Sequence, residues 1–225
     1  PDEIPDNLHS IYVDQWDWEK TIHEEDRNSL FLQNIVRRIY AVFLRTQKIV
    51  KAHFPVLTAQ YNEDIYFITA EELRVRYPNL SSSQREEAIC KEHKCVFVSQ
   101  IGKKLEDGTI HDNRAPDYDD WELNGDILLY YPVLDCVLEL SSMGIRVNKE
   151  RLVLQLQEAS AEEKLSFPYH TAIVEERLPL SIGGGIGQSR LCMLVLEKAH
   201  IGEVQASVWS EEELAYLYEQ QLNIL

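Results

Sequence analysis

The chain has 225 residues, 44% of them hydrophobic, enough to build one sizeable core in one domain. Its 22 Lys and Arg against 38 Asp and Glu give a formal charge of −16, which repels a nucleic-acid backbone unless a basic patch intervenes, and Arg37-Arg38 and Lys103-Lys104 are too short to form one. No apolar run is long enough for a bilayer, no leader segment opens the sequence, and Cys90, Cys95, Cys136 and Cys192 lack zinc-finger or disulfide-framework spacing, so the expectation is a cytoplasmic protein with no membrane or nucleic-acid partner.

Residues 8–18 alternate as a strand does. Asn28-Ser29 then opens a helix, with Leu32, Ile35, Val36, Ile39, Val42, Phe43, Ile49 and Val50 at helical spacing. Thr69 with Glu72, and Ser83 with Glu86, have capping-box spacing ahead of two shorter helices. Residues 95–99 read as a buried strand, and Asn124-Gly125 reads as a turn opening another at 126–131. Residues 137–142 form a further strand, whose period of two puts Glu139, Ser141 and Met143 on one face. Helices are expected at 149–157, 169–177 and, after a glycine-rich turn, 187–196; residues 204–209 return to strand character. Such irregular mixing predicts an α+β fold, a mostly antiparallel sheet flanked by helices, with no repeat or linker dividing residues 1–225.

Three groups of residues suggest chemistry. The segment SIGGGIGQSRL at 181–191 places glycines before a helix and Arg190 one turn inside it, so backbone N–H groups and a cation could meet an anion, although most glycine clusters are ordinary turns. Asp126 and Glu139 come close if their strands pair; hard oxygen ligands then suit a magnesium ion holding phosphates, the alternative being two solvated acids. Gln15 and Asp17 share one strand face and offer an amide and a carboxylate to one pocket. His9, His111 and His200 lack zinc spacing and read as structural, while Trp16, Trp18, Trp121 and Trp209 read as core.

In chain order, LHSIYVDQWDWE (8–19), RAPDYDDW (114–121), LNGDI (123–127), ELSSMGIR (139–146), GGGIGQSRL (183–191) and HIGEVQ (200–205) resemble the ammonia-dependent asparagine synthetases, or aspartate–ammonia ligases. That family is in turn similar to the catalytic cores of class II aminoacyl-tRNA synthetases. The resemblance implies ATP-dependent synthesis of L-asparagine from L-aspartate and ammonia through a β-aspartyl-adenylate, with magnesium as cofactor. It implies that Arg190, Ser142, Arg146 and Gly185 bind ATP, Asp126 and Glu139 hold the metal, and Gln15, Asp17 and Asp119 bind aspartate. Asp119 would meet the substrate amino group and, with Arg190, form the catalytic pair. Arg146 could equally anchor the strand end, and Asp117 and Asp120 read as solvated loop acids.

The resemblance further implies a homodimer for the complete protein and an N-terminal portion upstream of this chain. Pro1-Asp2-Glu3 looks like the interior of the family's Arg-x-Asp-Glu signature, and the family usually has a longer loop after Trp121. A class II aminoacyl-tRNA synthetase core and a non-catalytic paralogue are the alternatives.

Overall fold

A computed structural model describes residues 5–225; the signature-like Pro1-Asp2-Glu3 lies outside the described residues. Six strands form one sheet in the order β1-β6-β5-β4-β3-β2: β1 is Gln15–Thr21, β2 Tyr66–Thr69, β3 Cys95–Ser99, β4 Asp119–Tyr131, β5 Cys136–Arg146 and β6 Ser181–Gly187. Every pairing is antiparallel except β2 with β3. Among the described residues no helix is long and apolar enough to cross a membrane.

The helix α1 (Ser29–His53) begins where Asn28 Oδ1 accepts the Phe31 N–H at 2.9 Å, satisfying an amide that the first turn leaves unpaired. It buries Leu32, Ile35, Val36, Tyr40 and Phe43, while Val42 and Ile49 face solvent, so its apolar stripe is narrower than the spacing suggested. With α6 (Gln188–Leu196), α1 covers one sheet face; Phe97, Ile127, Leu129, Leu138, Met143 and Ile182 join the same core. Val96, Val98 and Leu128 point to the opposite face and pack under α2 (Ala70–Arg76) and α3 (Ser82–His93). The helices α4 (Lys149–Glu158) and α5 (Pro168–Val174) share a third, smaller core around Leu152, Leu156 and Ile173. A last helix, α7 (Glu211–Glu219), follows.

Several expectations change. Residues 8–14 are irregular, and the strand starts only at Gln15. The Thr69–Glu72 capping box is present, but α3 is capped by Ser81 with Gln84, placing Ser83 inside the helix. Asn124-Gly125 makes no turn, because the Asn124 side chain is held by backbone, accepting from Ile101 N at 2.9 Å and donating to Ile101 O at 2.8 Å. The strand therefore runs through it, and it also runs unbroken through Trp121 and Glu122, with no loop between them. The glycine-rich turn is itself strand β6. Residues 204–209 form no strand; Gln205 is buried there and accepts a hydrogen bond from Ser10 Oγ at 2.6 Å. In β5 the register skips Leu140, with Ile127 opposite Ser141 but Leu128 opposite Glu139. This bulge moves Met143 to the core face and brings Ser142 to the side of Glu139.

Gly125 sits where a Cβ would meet the Val98 carbonyl oxygen and, at 2.7 Å, the Phe97 ring. Gly125→Ala should therefore cost about 2 kcal/mol in urea denaturation through overpacking. Val42→Ala, at a position 65% exposed, should stay within about 0.5 kcal/mol of wild type. Equal stability of the two variants would contradict this packing.

Candidate active site

The sheet face that α2 and α3 cover over β2, β3 and β4 is open over β1, β6 and β5. Here β6 presents glycines: Asp17 lies opposite Gly185, which lies opposite Ser142, and Glu19 lies opposite Gly183, which lies opposite Gly144. A Cβ on Gly185 would come within 2.9 Å of Asp17 Oδ1 and 3.1 Å of Gln15 Oε1, and one on Gly183 would strike Glu19 and Arg146. The strand between the two polar rows thus has no side chain in the way. A cavity of about 790 Å³ results, and Gln15, Asp17, Asp119, Glu139, Ser142, Arg146, Gly185 and Arg190 all line it. Asp126 lines an adjoining cavity of about 510 Å³, which shares Glu139 and Arg190 with the first.

At the β1 end, Arg146 is enclosed by two carboxylates and a ring. Its Nε and Nη2 donate to Glu19 at 3.1 and 2.8 Å, its Nη1 donates to Asp119 Oδ1, and its guanidinium carbon lies 4.0 Å from the Tyr118 ring centre. Burial opposes the arginine's charge, but Glu19 and Asp119 outweigh it and hold the group protonated above its ordinary range. Burial also pushes the Asp119 carboxyl up, against the opposing pull of Arg146.

At the other end, Asp126 is 5% exposed, and burial followed by the neighbouring Glu139 charge pushes its carboxyl up to about 7. The two acids are therefore close together and are not both solvated. Arg114 bonds Asp126 Oδ2 and also Asp112, while Asp126 Oδ1 is buried without a partner among the described residues. Among the described residues no group of three or more His, Cys, Asp or Glu converges on a metal position. Asp126 and Glu139 fit a magnesium ion only if other oxygen ligands, such as phosphates, complete its shell; the orphaned Oδ1 is the atom consistent with that use. Arg190 is the third residue of α6, and its Nη1 donates to the Glu139 carbonyl at 3.4 Å. Gly187 caps α6 without a side chain, and the Gln188 N–H donates to Asp14 O at 3.0 Å, so protein already uses one helix-start amide.

Two acids thought to be solvated are not. Asp120 is 3% exposed, receiving Arg27 Nη2 and Arg151 Nε, each at 2.9 Å, and the Glu122 N–H at 3.0 Å. Asp117 pairs with Lys164 at 3.0 Å and His170 at 2.9 Å. His111 Nε2 lies 2.8 Å from Glu86 and His200 Nε2 3.0 Å from Glu213, both rings buried, while His9 Nδ1 lies 2.9 Å from Asp6 and His9 lines both cavities. Trp121 and Trp209 are buried, but Trp16 is half exposed and Trp18 lines the cavity. All four cysteines are free, with Cys90 and Cys95 buried. Glu19, Arg114 and Tyr118 also line the cavity and were not singled out; continuing the alternation of Gln15 and Asp17 by two residues reaches Glu19.

A mostly antiparallel six-stranded sheet flanked by helices is the fold of class II aminoacyl-tRNA synthetase catalytic cores. Solved structures agree: an aspartyl-tRNA synthetase from Entamoeba histolytica aligns with TM-score 0.63 at 15% identity, over 94% of this chain and 46% of that one. An asparaginyl-tRNA synthetase from Pyrococcus horikoshii, complexed with asparaginyl-adenylate, aligns with TM-score 0.62 at 14% identity, over 92% of this chain and 51% of that one. At such identities the likeness is one of fold. In sequence, residues 1–221 match the aspartate–ammonia ligase family. The aspartate–ammonia ligase of Clostridium tetani is 53% identical over 224 residues, covering 100% of this chain and 66% of the relative. That of Fusobacterium nucleatum is 56% identical over 211 residues, covering 94% and 64%. The chain belongs to the aspartate–ammonia ligase family, and it spans about two thirds of the length of these relatives.

Asp126 gives the site a pH signature. A carboxyl whose pKa is higher folded, at about 7, than the ~3.9 of an unfolded aspartate binds its proton more tightly in the native state. Its contribution to stability is fully present below pH ~4 and is lost as pH rises through about 7. In magnesium-free urea denaturation from pH 5 to 8, wild type should lose about 3 kcal/mol relative to Asp126→Asn. Parallel stability curves would remove the basis for a neutral, buried Asp126.

Proposed function

We propose that the complete protein joins L-aspartate to ammonia at the expense of ATP, and that residues 1–225 supply its catalytic domain. The observation that carries this is the polarity of two adjoining cavities that share Glu139 and Arg190. Gln15, Asp17 and Asp119 stand at one end and Arg190 with the Asp126–Glu139 pair at the other, matching an amino acid bearing an ammonium and a nucleotide bearing phosphates.

In this reading the Asp17 and Asp119 carboxylates and the Gln15 amide receive the substrate ammonium. Charge-assisted hydrogen bonds to a cation are stronger and more directional than neutral ones, so these groups fix which carboxylate of aspartate faces the nucleotide. The side-chain carboxylate oxygen forms a bond to the α-phosphorus as the bond to pyrophosphate breaks. Ammonia then attacks the acyl carbon of the β-aspartyl-adenylate, AMP leaves with the bonding electron pair, and the new nitrogen releases a proton to give the amide. Arg190 presents a planar fork to the α-phosphate, where negative charge accumulates in the first step, and Ser142, with the unobstructed Gly185 backbone, lets the nucleotide lie close to the sheet. Asp126 and Glu139 would hold magnesium, which when bound neutralises phosphate charge. Holding the reactants together converts a bimolecular encounter into an oriented one.

The complete enzyme should form asparagine and AMP with ammonium, not with glutamine alone, and should gain nothing from added tRNA. Arg190→Ala should slow turnover by about 100-fold or more, the scale of removing one charged transition-state contact. Asp126→Asn and Glu139→Gln should each lower pyrophosphate release and shift its magnesium dependence upward, with partial rescue at high magnesium. Wild-type turnover with unchanged magnesium dependence in both variants would refute the metal assignment. Glutamine-dependent synthesis at the ammonium rate would refute the nitrogen donor. The complete protein is also expected to be a homodimer, which light scattering at micromolar concentration tests directly.

A further inference from the structure

Glu19 lies on the edge strand β1, its side chain 48% exposed, yet it pairs with an arginine only 9% exposed. Arg146 comes from β5, two strands away, and the pair meets over Gly183 of β6, where a Cβ would strike both partners. Ser181 Oγ donates to Glu19 Oε1 at 2.5 Å, fixing the carboxylate from the side.

A guanidinium has five N–H donors and two edges that can each hold a carboxylate bidentately. Glu19 occupies the Nε and Nη2 edge, at 3.1 and 2.8 Å. The Tyr118 ring, 4.0 Å from the guanidinium carbon, fixes the plane. Asp119 is left a single contact, through its Oδ1 to Nη1, and no other protein group among the described residues hydrogen-bonds its Oδ2. One N–H on each terminal nitrogen is also left over. Were Glu19 neutral, Arg146 could turn to pair with Asp119 through two nitrogens, and the acid would then be neutralised on both oxygens.

We propose that Glu19 is a positioning residue for the amino-acid substrate: by holding the Nε and Nη2 edge it fixes Arg146 in the orientation that gives Asp119 a single contact, and so keeps the other Asp119 oxygen for the substrate ammonium. Glu19 itself touches no substrate in this scheme and acts through Arg146. The inference rests on the function proposed above for this end of the cavity, and its substrate class is an α-amino acid whose ammonium enters beside Asp119 and whose carboxylate can use the remaining Arg146 donors.

The test uses the complete enzyme and measures aspartate binding by calorimetry alongside steady-state asparagine synthesis. Glu19→Gln keeps the shape but loses the charge. It should weaken aspartate binding and raise its KM by about tenfold, the scale of one charge-assisted contact, while KM for ATP, kcat and Tm stay close to wild type. Ser181→Ala should show the same split with a smaller effect, on the order of twofold. In an Arg146→Lys background, where the fork is gone, adding Glu19→Gln should change aspartate binding little. Unchanged aspartate binding in Glu19→Gln overturns the proposal, as does a parallel rise in both KM values with a lowered Tm, which marks a structural role. A wild-type enzyme that binds aspartate but makes no asparagine counts against the proposed function alone, because the binding arm still decides Glu19. A wild-type enzyme that fails to bind aspartate overturns both.

Discussion

A strand with glycines at 183 and 185 on its open face is the constraint from which the cavity follows. Gly183 and Gly185 of β6 lie between the acids of β1 and the polar residues of β5, and neighbouring strands stand only about 4.8 Å apart. Any Cβ on that face would fill the space that Glu19, Asp17 and Gln15 use. The glycines therefore serve close approach and not an unusual backbone, since none of them has positive φ. The opposite face of the same strand buries Ile182 in the core, so the alternation that opens the site also anchors the strand beneath it.

Charge is then sorted along the open face. The chain is strongly acidic, but Arg114, Arg146 and Arg190 all line the same cavity. Two of them are already engaged: Arg146 faces Glu19 and Asp119, and Arg114 faces Asp112 and Asp126. Among the described residues Arg190 has only a long bond to a carbonyl, which leaves its fork the most available for an anion. On the proposed function, Arg190, with no carboxylate partner among the described residues, is the arginine left for a phosphate, whereas Arg146 is held by acids at the amino-acid end.

The sequence carried the helices and the existence of most strands, because caps such as Asn28 and Thr69 and the long stripe of α1 are local signals. What it misread depends on distant partners. Asn124-Gly125 looks like a hairpin turn until Ile101 supplies both hydrogen bonds to the asparagine side chain, and the glycine run looks like a loop until β1 and β5 pair on either side of it. The bulge at Leu140 leaves no mark in the residues themselves, so strict alternation put Met143 on the wrong face. The candidate site residues quoted from the motifs do assemble around two joined cavities. Arg114 stood inside a recognised motif without a role because its meaning lies in Asp126, on a strand twelve residues later.

The buried acid Asp120 shows how the position of Asp119 is held. Burying an ion pair brings little net stability, since desolvation offsets the attraction, yet Asp120 and Arg27 have side chains 4% and 5% exposed. Arg27 also donates from Nη1 to the Arg146 carbonyl at 2.6 Å, and Arg151 of α4 reaches the same aspartate. One carboxylate thereby ties the approach to α1, the start of β4, the end of β5 and helix α4 together at a single point. The residues next to or within that knot that face the cavity are Asp119 and Arg146, and Asp119 pairs across the strands with Arg146 before a register irregularity in β4. At a bulge, where the ladder itself specifies register weakly, a buried and fully engaged charge supplies the missing geometric definition. A hydrophobic replacement of similar volume could pack as well, but it would not orient two neighbouring strand ends relative to each other.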